Sequence, residues 1–142
     1  MKNGMAPFGR HIDYLRISVN ISLDTLDPTA YRKLTGGRLQ VALDGIHAAT
    51  VAGFEVVKLN CVLLRGINEN QMVPLVEFGA SLGMPVRFIE LMPLAPGGPI
   101  DARHFFSVAE AMERLLETGI MEPANDILEA IQFRSLDRKL FS

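Results

Sequence analysis

Lys58 and Asn60 stand two apart in residues 55–64, EVVKLNCVLL, a run that is otherwise almost wholly apolar. Side chains two apart on a strand share a face. Lys58 and Asn60 therefore lie on one side with Val62, while Val57, Leu59, Cys61 and Leu63 take the other. An ammonium and an amide are costly to bury without partners. One reading is a pocket face that holds an anionic or polar ligand; the other is a lysine that snorkels to solvent from a strand end. Arg16 and Ser22 pose the same choice on residues 14–24, YLRISVNISLD. There an arginine can grip a phosphate or carboxylate through two parallel hydrogen bonds, or the polar face can belong to a solvated edge strand. Arg87 and Glu90 fall on opposite faces of a third strand and make no obvious pair. Met92, at the end of that strand, has the character of a core residue.

Other chemistry is thinly supplied. The single cysteine, Cys61, falls on the apolar side of its strand and reads as a packed, unreactive thiol. One thiol forms no internal disulfide and builds no iron–sulfur site requiring several thiolates of one chain. His11, His47 and His104 are scattered without metal-ligand spacing. The word Asp101-Ala102-Arg103-His104 is too generic to mark catalysis, and neither 65–68 nor 96–99 has the glycine pattern of a phosphate loop.

The elements that must position these residues follow from periodicity. Residues 14–24 alternate without a break, Leu15, Ile17, Val19, Ile21 and Leu23 on one face, which predicts a strand. Asp27 as N-cap and Pro28 at the first helical position open a short helix that Gly36-Gly37 ends. Leu39, Leu43, Ile46 and Ala49 predict an amphipathic helix over 38–52, stopped by Gly53. Residues 55–64 form the second strand, 69–82 a helix whose regular part starts near Pro74, and 86–92 the third strand. A capping box at Ser107–Glu110 opens a helix to about 117, and the stretch after Pro123 is read as one more short helix. Strand and helix alternate in the order of a parallel sheet.

Composition bounds the rest. The chain has 142 residues, 49% hydrophobic and 21% charged, with 14 basic and 16 acidic side chains for a net charge of −2. That suits one globular domain and argues against a broad nucleic-acid surface. No apolar run approaches the roughly 18 residues of a membrane span, and the first residues lack a secretory apolar segment. The expectation is a cytoplasmic protein with no membrane or nucleic-acid partner.

The words NISLDTLDP (20–28), KLNCVLLRGIN (58–68) and RFIELMP (87–93), in this order and spacing, resemble the molybdenum cofactor biosynthesis protein A family (MoaA). The resemblance runs over about 8–122, leaving 123–142 as a divergent tail. It implies an α/β fold, a partial parallel (β/α) barrel of the radical S-adenosylmethionine type with about three βα units. The family's activity is that of a GTP 3',8-cyclase, a lyase in molybdenum cofactor biosynthesis. Its cofactors are S-adenosylmethionine and two 4Fe–4S clusters, each held by three cysteines. Here Val19 is followed at once by Asn20, where the family has a cluster loop and several βα units, and the C-terminal cysteine segment is also absent. The chain is therefore expected to be inactive alone; the alternative role is a non-catalytic module that binds nucleotide weakly or dimerises through open sheet edges. By resemblance Ser22 and Met92 contact S-adenosylmethionine, and Lys58 and Arg16 contact GTP. No catalytic residue and no metal ligand carry over.

Overall fold

A computed structural model describes residues 17–92, 97–123 and 133–135, with side-chain surroundings described through Ile120. Three parallel strands form its sheet: β1 (Ser18–Ser22), β2 (Val56–Leu63) and β3 (Val86–Glu90), in the order β1-β2-β3. Between β1 and β2 run helices α1 (Pro28–Thr35) and α2 (Leu39–Val51). After β2 come a 3₁₀ turn (Glu69–Gln71) and α3 (Met72–Ser81), and after β3 a 3₁₀ turn (Ala102–His104) and α4 (Val108–Glu117). The sheet does not close. This is the expected α/β partial barrel. No helix among the described residues is long and apolar enough to cross a membrane.

Local chemistry explains the helix ends. The Asp27 carboxylate accepts hydrogen bonds from the N–H groups of Thr29 and Ala30 at 2.8 and 2.9 Å, satisfying two donors that a helix start leaves open. Gly36 closes α1 at φ 75°, a left-handed conformation that glycine adopts freely. Ser107 accepts from Glu110 N at 3.1 Å. The reciprocal half of a capping box is replaced: Glu90 at the end of β3 accepts from Val108 N at 3.0 Å, and Glu110 pairs with Arg65 and Arg114.

The helices cover one face of the sheet. Val57, Leu59, Cys61 and Leu63 of β2 and Val86 and Phe88 of β3 are buried there, with Leu39 and Ile46 of α2, Leu75 and Val76 of α3, and Ala111 and Leu115 of α4. Packing is close enough to dictate a residue type. A Cβ on Gly79 would meet Val86 Cγ2 at 2.6 Å and the Met84 carbonyl oxygen at 2.7 Å, so α3 reaches β3 only because position 79 has no side chain.

Several sequence expectations need correction or fall outside view. The first strand is described only from Ser18, and Arg16 lies outside the described residues. β3 ends at Glu90, so Met92 is not a strand-end core residue; it is 75% exposed. Phe133–Ser135 is a strand (β5), paired antiparallel with β4 (Met121–Pro123), where the sequence suggested a helix. Cross-strand backbone bonds override the weak helical pattern there.

Candidate functional site

The face away from the helices is the polar one. Parallel pairing sets Asn20 beside Lys58 and Ser22 beside Asn60, and continues the second row from Asn60 to Arg87. Paired residues of neighbouring strands point the same way. Ser22, Asn60 and Arg87 thus form one row across the sheet, with Asn20 and Lys58 in the next row two residues earlier. Ser22 and Asn20 are exposed, while Lys58, Asn60 and Arg87 are half-buried. Val62 and Ile89, themselves paired, carry the same face on as an apolar strip toward the C-terminal ends of the strands.

Two atoms of this row stand out. Asn60 Oδ1 and Arg87 Nε are shielded from solvent and have no hydrogen-bond partner among the described residues. Lys58 forms no ion pair among them either. Leaving such groups buried and unpaired is costly. An acceptor, a planar guanidinium donor and an ammonium, all on one open face, suit a ligand with both anionic and polar groups.

Asp24 closes the face at the C-terminal end of β1. Its carboxylate accepts from Val62 N at 2.8 Å. Burial raises its pKa above the ordinary carboxylate range, an effect that this hydrogen bond partly offsets. Behind it Asn68 acts as a fastener. Its Nδ2 donates to the carbonyls of Asp24 (2.9 Å) and Val62 (2.8 Å), and its Oδ1 accepts from Leu64 N (2.8 Å). Asn68 is fully buried, so the word Arg65-Gly66-Ile67-Asn68 serves to hold the ends of β1 and β2 together. Arg65 leaves that loop to bind Glu110, and Arg65 and Arg114 both lie over the Phe106 ring, at 4.9 and 4.8 Å from its centre.

The remaining candidates are placed elsewhere. Met92 sits two residues beyond β3, exposed at the edge of the sheet's C-terminal end. Cys61 lies on the covered face, fully buried, with Sγ 3.7 Å from the Asp24 carbonyl oxygen. Burial, and then the neighbouring Asp24 charge, push its thiol pKa far up, which makes it a poor nucleophile and a poor metal ligand at neutral pH. Asp101 and Arg103 are a local cap: the arginine fork grips the carboxylate, whose pKa falls to about 2. Among the described residues no group of three or more His, Cys, Asp or Glu side chains could hold a metal ion. Sequence reasoning identified the parity of Lys58 and Asn60 but not the place of Arg87. Alternation assigns each strand's faces; only the pairing between strands shows that Arg87 joins Asn60 and Ser22.

Comparison with known proteins agrees with this architecture. The radical SAM superfamily pattern matches residues 10–79. The GTP 3',8-cyclase of Corynebacterium glutamicum (strain R) is 42% identical over 109 residues, 76% of this chain and 29% of that protein. That of Petrotoga mobilis is 36% identical over 108 residues (75% and 33%), and that of Pseudomonas savastanoi pv. phaseolicola 41% over 113 (76% and 33%). The chain thus spans about a third of the length of these curated relatives. Among solved structures, TYW1 with a lysine-pyruvate adduct bound superimposes with a TM-score of 0.61 at 17% identity, over 83% of this chain and 40% of that one; at that identity the likeness concerns the fold. By sequence, residues 10–79 resemble the radical SAM superfamily, and about three quarters of the chain is similar to part of the GTP 3',8-cyclases.

Proposed function

We propose that the open sheet face is a nucleotide-binding surface, and that these 142 residues bind the ligands of a GTP 3',8-cyclase without performing the cyclisation by themselves. The observation that carries this reading is the unpartnered pair Asn60 Oδ1 and Arg87 Nε, set in register with Ser22 and beside Lys58. Lys58, with Arg16, supplies cationic contacts for the anionic groups of GTP. Ser22, with Met92, contacts S-adenosylmethionine. Arg87 adds a fork that suits a phosphate.

The donor set of these residues does not fit the iron–sulfur clusters that the superfamily implies. Its one cysteine is buried on the opposite face of the sheet, whereas a cluster takes several thiolates. No radical step is therefore assigned to this chain alone. Isothermal titration with GTP and with S-adenosylmethionine tests the proposal. Binding that Arg87→Met or Lys58→Ala weakens about tenfold supports it; absence of heat with both ligands at about millimolar concentration overturns it.

A second reading rests on the sheet edges. Neither the outer side of β1 nor that of β3 has a strand partner among the described residues, and unpaired edges template association. We propose self-association of the half-barrel on that ground. Light scattering coupled to size exclusion distinguishes it: a monomer at every concentration rules it out.

A further inference from the structure

A groove of about 660 Å³ opens between α1 and α2, and none of its lining residues belongs to the open sheet face. Its volume lies in the range of small-molecule sites, roughly 300–1,000 Å³. Pro28, Leu39 and Leu43 give it an apolar floor, while Arg32, Lys33 and Arg38 stand around it with no carboxylate in the lining. None of the three cations has an ion-pair partner among the described residues. The nearby acids are engaged elsewhere. Asp27 caps α1, and Asp44 accepts from Gln40 Nε2 at 2.8 Å. Three unpaired cations in one groove run against a net charge of −2.

Arg32 and Lys33 have a ready local explanation, because they occupy the last turn of α1, where cations complement the helix dipole. Arg38 has none. It occupies the N-cap of α2 and makes no side-chain capping bond. Serine, threonine, aspartate or asparagine would satisfy the first-turn N–H groups there. Arginine instead places a positive charge at the positive end of the helix. Such a locally unfavourable choice is characteristic of a functional position. An anion held between Arg38, Arg32 and Lys33 would reverse the penalty.

We propose that the α1/α2 groove is a second ligand site, distinct from the open face, which binds a small molecule bearing a phosphate monoester. The phosphate sits among Arg32, Lys33 and Arg38, and the apolar body of the ligand lies on Pro28, Leu39 and Leu43. Three cations match a dianionic phosphate better than a single carboxylate, and the arginine forks match its oxygens.

Phenyl phosphate is the probe, because it has the anion and an apolar body but no nucleoside. Titrated into the full chain and followed by amide ¹H–¹⁵N spectra, it should shift Gly36, Gly37 and Gln40, and inorganic phosphate should bind more weakly. Arg38→Asp should weaken binding at least about tenfold while raising the melting temperature, since aspartate caps α2. Arg38→Gln should weaken binding several-fold without that gain. Shifts confined to Asn20 and Asn60, no shift at about 10 mM probe, or undiminished binding in both Arg38 variants would each overturn the proposal. The outcome is independent of whether GTP or S-adenosylmethionine binds the open face.

Discussion

The two faces of the same three-stranded sheet have opposite chemistry. On the covered face Leu59, Cys61, Leu63 and Phe88 are at most 2% exposed, and the buried polar Asn68 beside them has each of its groups engaged. On the open face, shielded atoms of Asn60 and Arg87 go without partners. The first face is complete as core, and its residues stabilise the fold. The second carries polar groups that the described residues leave unsatisfied, which is the signature of a surface shaped for something else. Core packing and unsatisfied polar groups are thus separated by one strand thickness, on alternate residues of β2.

Substitutions can break that contrast. Phe88→Ala on the covered face should cost about 3–5 kcal/mol by loss of burial and creation of a cavity, read as a lowered urea midpoint. A loss below about 1 kcal/mol would mean that the covered face is not the main source of stability. Next in size, Asn68→Ala strands Leu64 N–H and the carbonyls of Asp24 and Val62. It should cost about 2–3 kcal/mol in the same measurement.

On the open face the sign should reverse. Arg87→Met removes a half-buried guanidinium that has an unpartnered Nε, so the unliganded chain should keep its stability or gain about 1 kcal/mol. In the titration it should bind GTP about tenfold more weakly. Marked destabilisation would show that Arg87 belongs to the core rather than to a site.

The smallest effect concerns pH. Burial raises the folded-state pKa of Asp24, so its ionisation opposes folding above that pKa, and the penalty fades as pH falls toward the ordinary carboxylate range. Asn at position 24 keeps an acceptor for Val62 N without the charge. Asp24→Asn should therefore be more stable than the native chain at neutral pH, with the gap closing on acidification in thermal melts. A gap that widens on acidification would contradict the assigned burial. Asp101 and Glu110, both held below their usual range by arginines, lose their contribution at low pH in both proteins and cancel from the difference.

Much of this was legible from residue order. The caps at Asp27 and Ser107, the stop at Gly36, and the faces of Lys58, Asn60 and Cys61 follow from local rules, because helix ends and strand alternation depend on neighbours a few residues away. The fastener role of Asn68 was not legible. A buried asparagine in a loop has no local pattern, and its three partners lie in β1 and around the end of β2. The extent of β3 and the strand at 133–135 escape local rules for the same reason, since cross-strand bonds decide them.

By itself, then, the sequence determined the elements through α4, their order, the family likeness and the side of the strand on which Lys58 and Asn60 stand. Tertiary structure alone decided that Ser22, Asn60 and Arg87 form one row, that Met92 is exposed, and that Arg32, Lys33 and Arg38 surround one groove. The physical reason is register. Alternation has a period of two and fixes a face, whereas the alignment of one strand against another, or of one helix against the next, is set by packing between residues far apart in the chain.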